Sequence, residues 1–204
     1  SANYYAMVEV SNNGMATLDD GCWIHNCYKS RYKGAAFYLN KGSAVFEDAI
    51  IENCQATYYG GAICIEDKST LIINDGTYQN NSTSSSSIEP CGGGFIYNIS
   101  SKLKIYGGSF IDNTSCGKGG CIYNTGLEGS ETYLYGGYFQ GNKSFYNKSD
   151  GKGSGAIFYS SQNTANTIIQ LSGNVQFCGD GTADSGVDGV FLDFADDAQR
   201  KAQI

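Results

Sequence analysis

The chain is expected to be all-β and to wind into a right-handed, single-stranded parallel β-helix, a solenoid of about six rungs. Three observations carry this: a closing tetrapeptide that recurs, a small-residue opening turn that recurs ahead of it, and the near absence of helical patterning. The clearest copy of the unit runs from Gly60 to Asn81, GGAICIEDKSTLIINDGTYQNN. It has a turn at Gly60, Gly61 and Ala62, an apolar run from Ile63 to Ile65, a polar corner from Glu66 to Ser69, a second apolar run from Leu71 to Ile73, and the close Tyr78-Gln79-Asn80-Asn81. Two short strands parted by turns cannot bury their own apolar faces, so such a unit folds only when stacked on copies of itself.

The closing tetrapeptide recurs as Ile24-His25-Asn26-Cys27, Ile51-Glu52-Asn53-Cys54, Tyr78 to Asn81, Phe110-Ile111-Asp112-Asn113, Phe139-Gln140-Gly141-Asn142 and Phe177-Cys178-Gly179-Asp180. The first three are spaced by roughly 27 residues, within the range of stacked repeats. Later spacings grow through insertions at Ser82 to Cys91 and Phe145 to Gly153. The opening recurs as Gly34-Ala35-Ala36-Phe37, Gly60-Gly61-Ala62-Ile63, Gly92-Gly93-Gly94-Phe95, Gly119-Gly120-Cys121-Ile122, Ser154-Gly155-Ala156-Ile157 and a worn Gly186 to Val190. Ser1 to Tyr32 is a degenerate first rung with Val8 and Val10 as strand residues and Leu18, Trp23 and Ile24 as core candidates. Equivalent residues should lie about 4.8 Å apart along a rod of roughly 30 Å.

The 204 residues, 41% hydrophobic and 16% charged, suit one domain spanning the whole chain, 1–204, with ample core material. Twenty-eight glycines, 16 tyrosines and one proline fit many short strands joined by many corners. Only Asp193 to Ile204 has the makings of a short helix. A net charge of −7 argues against nucleic acid or an anionic membrane surface as the main partner. No run approaches a transmembrane length, so direct membrane insertion is not expected. No charged-then-apolar leader stands ahead of Ser1, which reads as a mature form or an excised piece. Eight cysteines beside one histidine favour a secreted, oxidising setting over zinc.

The column Cys27, Cys54, Asn81, Asn113, Asn142, Asp180 is the most specific constellation. Stacked asparagines at a turn can pass amide hydrogen bonds along the rod, a structural role. Cys27 and Cys54, one rung apart, are the preferred disulfide pair, because a rung falls within the Cα range of about 4.4–6.8 Å that a disulfide bridges. Cys91 and Cys116 are a second candidate pair, while Cys22, Cys64, Cys121 and Cys178 find no partner. Sequons stand at Asn80, Asn81, Asn98, Asn113, Asn142 and Asn147. In a eukaryotic secretory source, Asn98 and Asn147, outside the ladder, are the better glycan acceptors.

Enzyme signatures are poor. His25 sits in a closing turn and suits a structural hydrogen bond; Cys116 to Cys121 lacks the second pair a zinc site needs; Gly92 to Gly94 introduces a strand and not a helix. Sugar-cleaving enzymes need only two carboxylates about 5–10 Å apart. Glu47, Asp48, Asp67 and Asp75 on neighbouring rungs are the candidates for such a pair, against a solvated-corner reading of each. Asp180, Asp184, Asp188, Asp193, Asp196 and Asp197 form an acidic stretch whose spacing matches no calcium loop. No catalytic residue, metal centre or cofactor is expected.

The opening Gly60-Gly61-Ala62-Ile63 and the closing Phe110 to Asn113 and Phe139 to Asn142 resemble the repeat of the polymorphic outer membrane proteins of chlamydiae and of related surface proteins in other bacteria and protists. The resemblance covers nearly the whole chain and is specific for architecture. It implies a right-handed parallel β-helix displayed on a cell surface, with several family members resembling adhesins. The chain departs from the pattern in carrying no C-terminal barrel segment and in placing cysteine at two closing positions.

The expected function is therefore that of a secreted or cell-surface binding scaffold for carbohydrate or protein. Contacts would come from the two insertions and from outward tyrosines such as Tyr58, Tyr59, Tyr106 and Tyr135. The alternatives are a polysaccharide lyase or glycoside hydrolase on the same scaffold, and a subunit that self-associates end to end into filaments through its open strand edges.

Overall fold

A computed structural model describes residues 6–29, 33–85, 91–125, 129–145, 155–161, 168–178 and 189–194. Within them the chain is a parallel β-helix. The first coil holds β1 (Val8–Ser11), β2 (Met15–Leu18), β3 (Trp23–His25) and β4 (Tyr28–Lys29), and the second β5 (Phe37–Asn40), β6 (Ser43–Glu52) and β7 (Gln55–Ala56). The third holds β8 (Ile63–Glu66), β9 (Thr70–Gln79) and β10 (Ser82–Thr83), and the fourth β11 (Ile96–Ile99), β12 (Lys102–Ile105), β13 (Ser109–Ile111) and β14 (Thr114–Ser115). The fifth holds β15 (Ile122–Thr125), β16 (Glu131–Gln140) and β17 (Lys143–Ser144); β18 (Ile157–Ser161), β19 (Ile168–Cys178) and β20 (Val190–Phe194) follow.

These strands stack into three parallel sheets. Sheet A runs β1-β5-β8-β11-β15-β18-β20; sheet B stacks β2 and β3, β6, β9, β12 and β13, β16, then β19; sheet C stacks β4, β7, β10, β14 and β17. The five strands of sheet C bound four full turns, so the coils with all three faces are slightly fewer than the rungs expected, and the further levels carry one or two faces. Asp193, expected in a terminal helix, lies in strand β20, and residues 195–204 fall outside the described ones.

Each corner has a backbone reason. The third closing residue adopts positive φ in every described coil: Asn26 (56°), Asn53 (55°), Asn80 (55°), Asp112 (52°) and Gly141 (64°). Asn, Asp and Gly are the residues that tolerate that region. At the opening turn Gly60 has φ +63°, and a Cβ there would lie 1.8 Å from the Ile63 carbonyl oxygen. Gly94 faces the Gly120 carbonyl, where a Cβ would sit 2.1 Å away. In the fourth coil Ile96 pairs with Ile63, so its opening is Gly93-Gly94-Phe95-Ile96, one residue beyond the expected Gly92 to Phe95. Gly93 carries the positive φ (65°), and Gly92 instead bridges Tyr59 and Lys118 beside sheet A.

The core is a set of columns running along the rod. The first closing position stacks Ile24, Ile51, Tyr78, Phe110, Phe139 and Phe177 in register. Successive ring centroids from Tyr78 lie 5.1, 4.6 and 5.2 Å apart, with interplanar angles of 23°, 10° and 26°. In-register stacking brings the rings to the offset-parallel geometry that aromatic pairs favour. Trp23, expected in the core, stands outside: alternation in β3 turns Ile24 inward and Trp23 outward, where its indole Nε1 donates to Glu52 Oε1 (3.0 Å).

The fourth closing position forms the asparagine ladder. Asn81, Asn113 and Asn142 are fully buried. The Oδ1 of each accepts the backbone N–H of the same position one coil earlier: Cys54 N to Asn81 (3.0 Å), Asn81 N to Asn113 (3.0 Å) and Asn113 N to Asn142 (3.1 Å). Each Nδ2 donates to a carbonyl of the earlier coil, that of Ile51, Tyr78 or Phe110. Asn81 and Asn113 also donate to the next amide up, at 3.1 and 3.0 Å. Asp180 lies outside the described residues.

Because Asn113 satisfies groups on both sides, Asn113→Ala should lower unfolding free energy by about 3 kcal/mol through the buried groups it strands. Asn80→Gly, at a solvent-facing positive φ, should change it by less than about 1 kcal/mol. Urea unfolding of the two variants checks both.

Candidate binding face

The outer side of sheet B is the most distinctive solvent-facing surface. Halfway along β6 and β9 the alternation shifts by one residue, so Glu47 with Asp48, and Asn74 with Asp75, face outward in succession. Phe46, Ile73, Ile105 and Leu134 are in register, which makes Glu47, Asn74, Tyr106 and Tyr135 one outward column. In that column Asn74 Nδ2 donates to Glu47 Oε2 (2.6 Å), and the rings of Tyr106 and Tyr135 stack at 4.8 Å and 19°. Tyr133 lies beside Tyr135 at 6.3 Å with its ring only 6° from parallel. Tyr106 is 47% exposed.

Charge frames these rings. Lys102 Nζ lies 2.9 Å from Glu131 Oε2, and Tyr133 donates to the same oxygen (3.1 Å). Partial burial and Glu131 raise the pKa of the Tyr133 phenol, and the Glu131 hydrogen bond and charge raise that of Lys102. Both therefore keep their protons at neutral pH. Lys104 is level with Tyr133 in the next column.

Of the four expected carboxylates, Glu47, Asp48 and Asp75 share the outer face of sheet B and Asp67 stands apart. Asp48 and Asp75 are stacked neighbours on sheet B and exposed, with Asp75 Oδ1 accepting the Gly76 amide (2.8 Å). Asp67 sits at the corner between sheets A and B, with φ +55°, on a different edge of the rod. His25 stacks on Trp23 at 4.2 Å, and its Nδ1 lies 2.8 Å from Asn26 Nδ2. Among the described residues, no three or more His, Cys, Asp or Glu side chains gather as a metal site. Of the acidic stretch, Asp193 falls in β20, and the others lie outside the described residues.

Of the other outward tyrosines, Tyr59 packs edge-on against Tyr97 (4.8 Å) and lies 6.1 Å from Tyr58. Tyr97 and Tyr123 are buried with Cys64 on the outer side of sheet A, so this strip is a second small core. Burial pushes the Tyr97 phenol far above its ordinary pKa. There too Glu66 gathers Lys33, Tyr38 and Asn40. The insertions are described only at their edges, residues 82–85 and Cys91 of the first and Phe145 of the second, which is exposed.

The cysteines correct the preferred pairing. Cys91 and Cys116 are bonded, with Cα atoms 6.3 Å apart, whereas Cys27 and Cys54 are free thiols. Stacked in-register residues point their Cβ atoms in parallel, about 4.8 Å apart, beyond the mean of about 3.8 Å that a disulfide needs. Cys91 escapes this constraint: Gly92 is level with Lys118, so Cys116 stands diagonally to Cys91. Burial pushes the Cys54 thiol up to about 12. Cys22, Cys64, Cys121 and Cys178 are not in disulfides.

Asn98, expected to carry a glycan, is fully buried and points inward. Its column continues Leu39 and Ile65, and its Nδ2 donates to Asn124 Oδ1 (2.6 Å). Its sequon is therefore closed in the folded chain. Asn80 is the exposed one among the described sequons, and Asn147 lies outside the described residues. The sequence reading also missed a serine ladder at the corner between sheets A and B. Ser69 Oγ accepts the Gly42 amide (3.2 Å), Ser101 Oγ that of Ser69 (3.1 Å), and Ser130 Oγ that of Ser100 (2.7 Å). The signal was a serine one or two residues ahead of each second apolar run, hidden in a serine-rich chain.

No family model matches the chain, and no curated protein or solved structure matches it either. No helix among the described residues is long and apolar enough to cross a membrane.

The Cys91–Cys116 bond closes a sequence separation of 25 residues. Replacing both cysteines by serine should lower unfolding free energy by about 3 kcal/mol, read by urea unfolding against the parent chain.

Proposed function

We propose that the chain is an extracellular or cell-surface scaffold that binds without catalysis, and that the outer face of sheet B makes the contact. The observation that carries this is the set of near-parallel rings of Tyr106, Tyr135 and Tyr133 on a rigid face beside Lys102, Lys104 and Glu131. Flat aromatic surfaces with polar rims suit sugar rings and protein side chains. The Cys91–Cys116 bond agrees with an oxidising compartment. The repeat's resemblance to chlamydial surface proteins points the same way.

A lyase or hydrolase has weaker support, because Glu47 and Asp75 are engaged in structural hydrogen bonds to Asn74 and the Gly76 amide, and Asp67 stands on another edge. A filament subunit is favoured by one observation: Met7, Met15, Trp23 and Tyr28, all in or beside the first coil, are exposed. An apolar strand edge of that kind invites pairing with another chain.

The test incubates the chain with acidic and neutral polysaccharides and measures retention and newly released chain ends together. Retention without new ends, weakened about tenfold by Tyr106→Ala or Tyr135→Ala, is the expected result. New ends that vanish on substituting Asp48 and Asp75 would replace the binding reading with an enzyme. Assembly that grows with concentration and stops on Trp23→Asp would favour the filament.

A further inference from the structure

Three sulfur-bearing residues fall together in the first two coils, Met7, Cys27 and Cys54. Cys27 and Cys54 hold, in the first two coils, the closing position that Asn81, Asn113 and Asn142 hold later. Cys27 Sγ lies 3.4 Å from Met7 Sδ, and Cys27 is level with Cys54, since His25 with Glu52 and Tyr28 with Gln55 pair in register on either side of them. Met7 is 68% exposed and Cys27 half-buried, so solvent reaches the group at these two residues, while Cys54 is fully buried.

Distances decide what such a group can hold. In-register stacking keeps the two cysteines too far apart for a sulfur–sulfur bond of about 2.05 Å without backbone movement. Two thiolate–metal bonds of roughly 2.3 Å span about 4.6 Å when linear and about 4.0 Å at a trigonal angle. The spacing of stacked coils, about 4.8 Å between Cα atoms, supplies that separation with small rotations of the side chains. Zinc needs four ligands and takes no thioether, and His25, the sole imidazole, faces outward on Trp23. Thiolate with thioether is the donor set that selects copper in its monovalent state.

We propose that Cys27, Cys54 and Met7 bind one Cu(I) ion. Both thiols give up their protons to solvent as two Cu–S bonds form, the thioether adds a third, and the oxidation state of copper does not change. Strand pairing already joins the first coil to the second, but the asparagine relay does not extend to it. Asn81 accepts the Cys54 amide, but Cys54 has no side-chain amide to do the same for Cys27. The ion would hold the first coil to the second, as the asparagines hold the later ones. Because both thiols bind as thiolates, uptake displaces protons and should strengthen as pH rises.

The test is an anaerobic titration of the full chain with tetrakis(acetonitrile)copper(I) against bathocuproine disulfonate, with X-ray absorption on the product. One equivalent in an all-sulfur shell is expected, with affinity falling at least about tenfold in Met7→Leu, which keeps both thiols. Cys27→Ser, at a half-buried position, should abolish binding while leaving the far-ultraviolet spectrum unchanged. Failure to compete with the chelator would overturn the proposal. So would binding indifferent to Met7→Leu or Cys27→Ser, which would assign the copper to other thiols. Equal uptake of Zn(II) in place of Cu(I) would also contradict the donor set.

Discussion

In a parallel, in-register coil each side chain has its own equivalent as nearest neighbour, one coil above and one below. A residue type is therefore stable in a column only if it complements itself. Asparagine does, since Oδ1 accepts what Nδ2 and the backbone N–H donate, and Asn81, Asn113 and Asn142 pass hydrogen bonds along the rod. Stacked rings do so by dispersion, from Tyr78 to Phe177. Serine hydroxyls do so at the opposite corner. Carboxylates repel their own kind, and Asp48 and Asp75 stack only where water screens them. Cysteine neither relays hydrogen bonds nor, in register, closes a disulfide.

The same rule divides the rod along its length. The outward column that begins Glu47, Asn74 continues as Tyr106, Tyr135, and the column of Val45 and Ile72 continues as Lys104 and Tyr133. Inside, Leu39 and Ile65 give way to Asn98 and Asn124, with Thr132 beside them. That inner pair is only half satisfied: Asn98 Oδ1 and Asn124 Nδ2 are buried without a partner among the described residues. The fourth and fifth coils thus carry the aromatic face outside and a polar cluster within, so the change of chemistry runs through the full thickness of sheets A and B.

The repeat was legible because its corners are chemically demanding. A third closing residue that must adopt positive φ and a fourth that must relay hydrogen bonds leave Asn, Asp or Gly followed by Asn, a pattern visible without coordinates. Three consecutive glycines hid the register of the fourth coil, since any two of them satisfy the opening turn on paper. Ser69, Ser101 and Ser130 carry a ladder of their own, but one hydroxyl among many serines gives no signal. Of the two candidate cysteine pairs Cys91–Cys116 forms, and the preferred Cys27–Cys54 fails because rung spacing fixes how far apart Cα atoms lie and says nothing of where Cβ atoms point. Asn98 was read as a surface residue because its triplet is a surface motif, whereas its column belongs to Leu39 and Ile65. Tyr106 and Tyr135 were legible as outward residues, but not their stacking or the rings beside them.

The central claim is that side-chain amides, relaying bonds from coil to coil, hold the rod together. Native-state hydrogen exchange resolved to single amides tests it most directly. The backbone amides of Cys54, Asn81 and Asn113, which donate only to side chains of the next coil, should exchange as slowly as those of the core strands and only through global unfolding. Exchange at those three sites at the rate of exposed turn amides, with the strands still protected, would contradict the account.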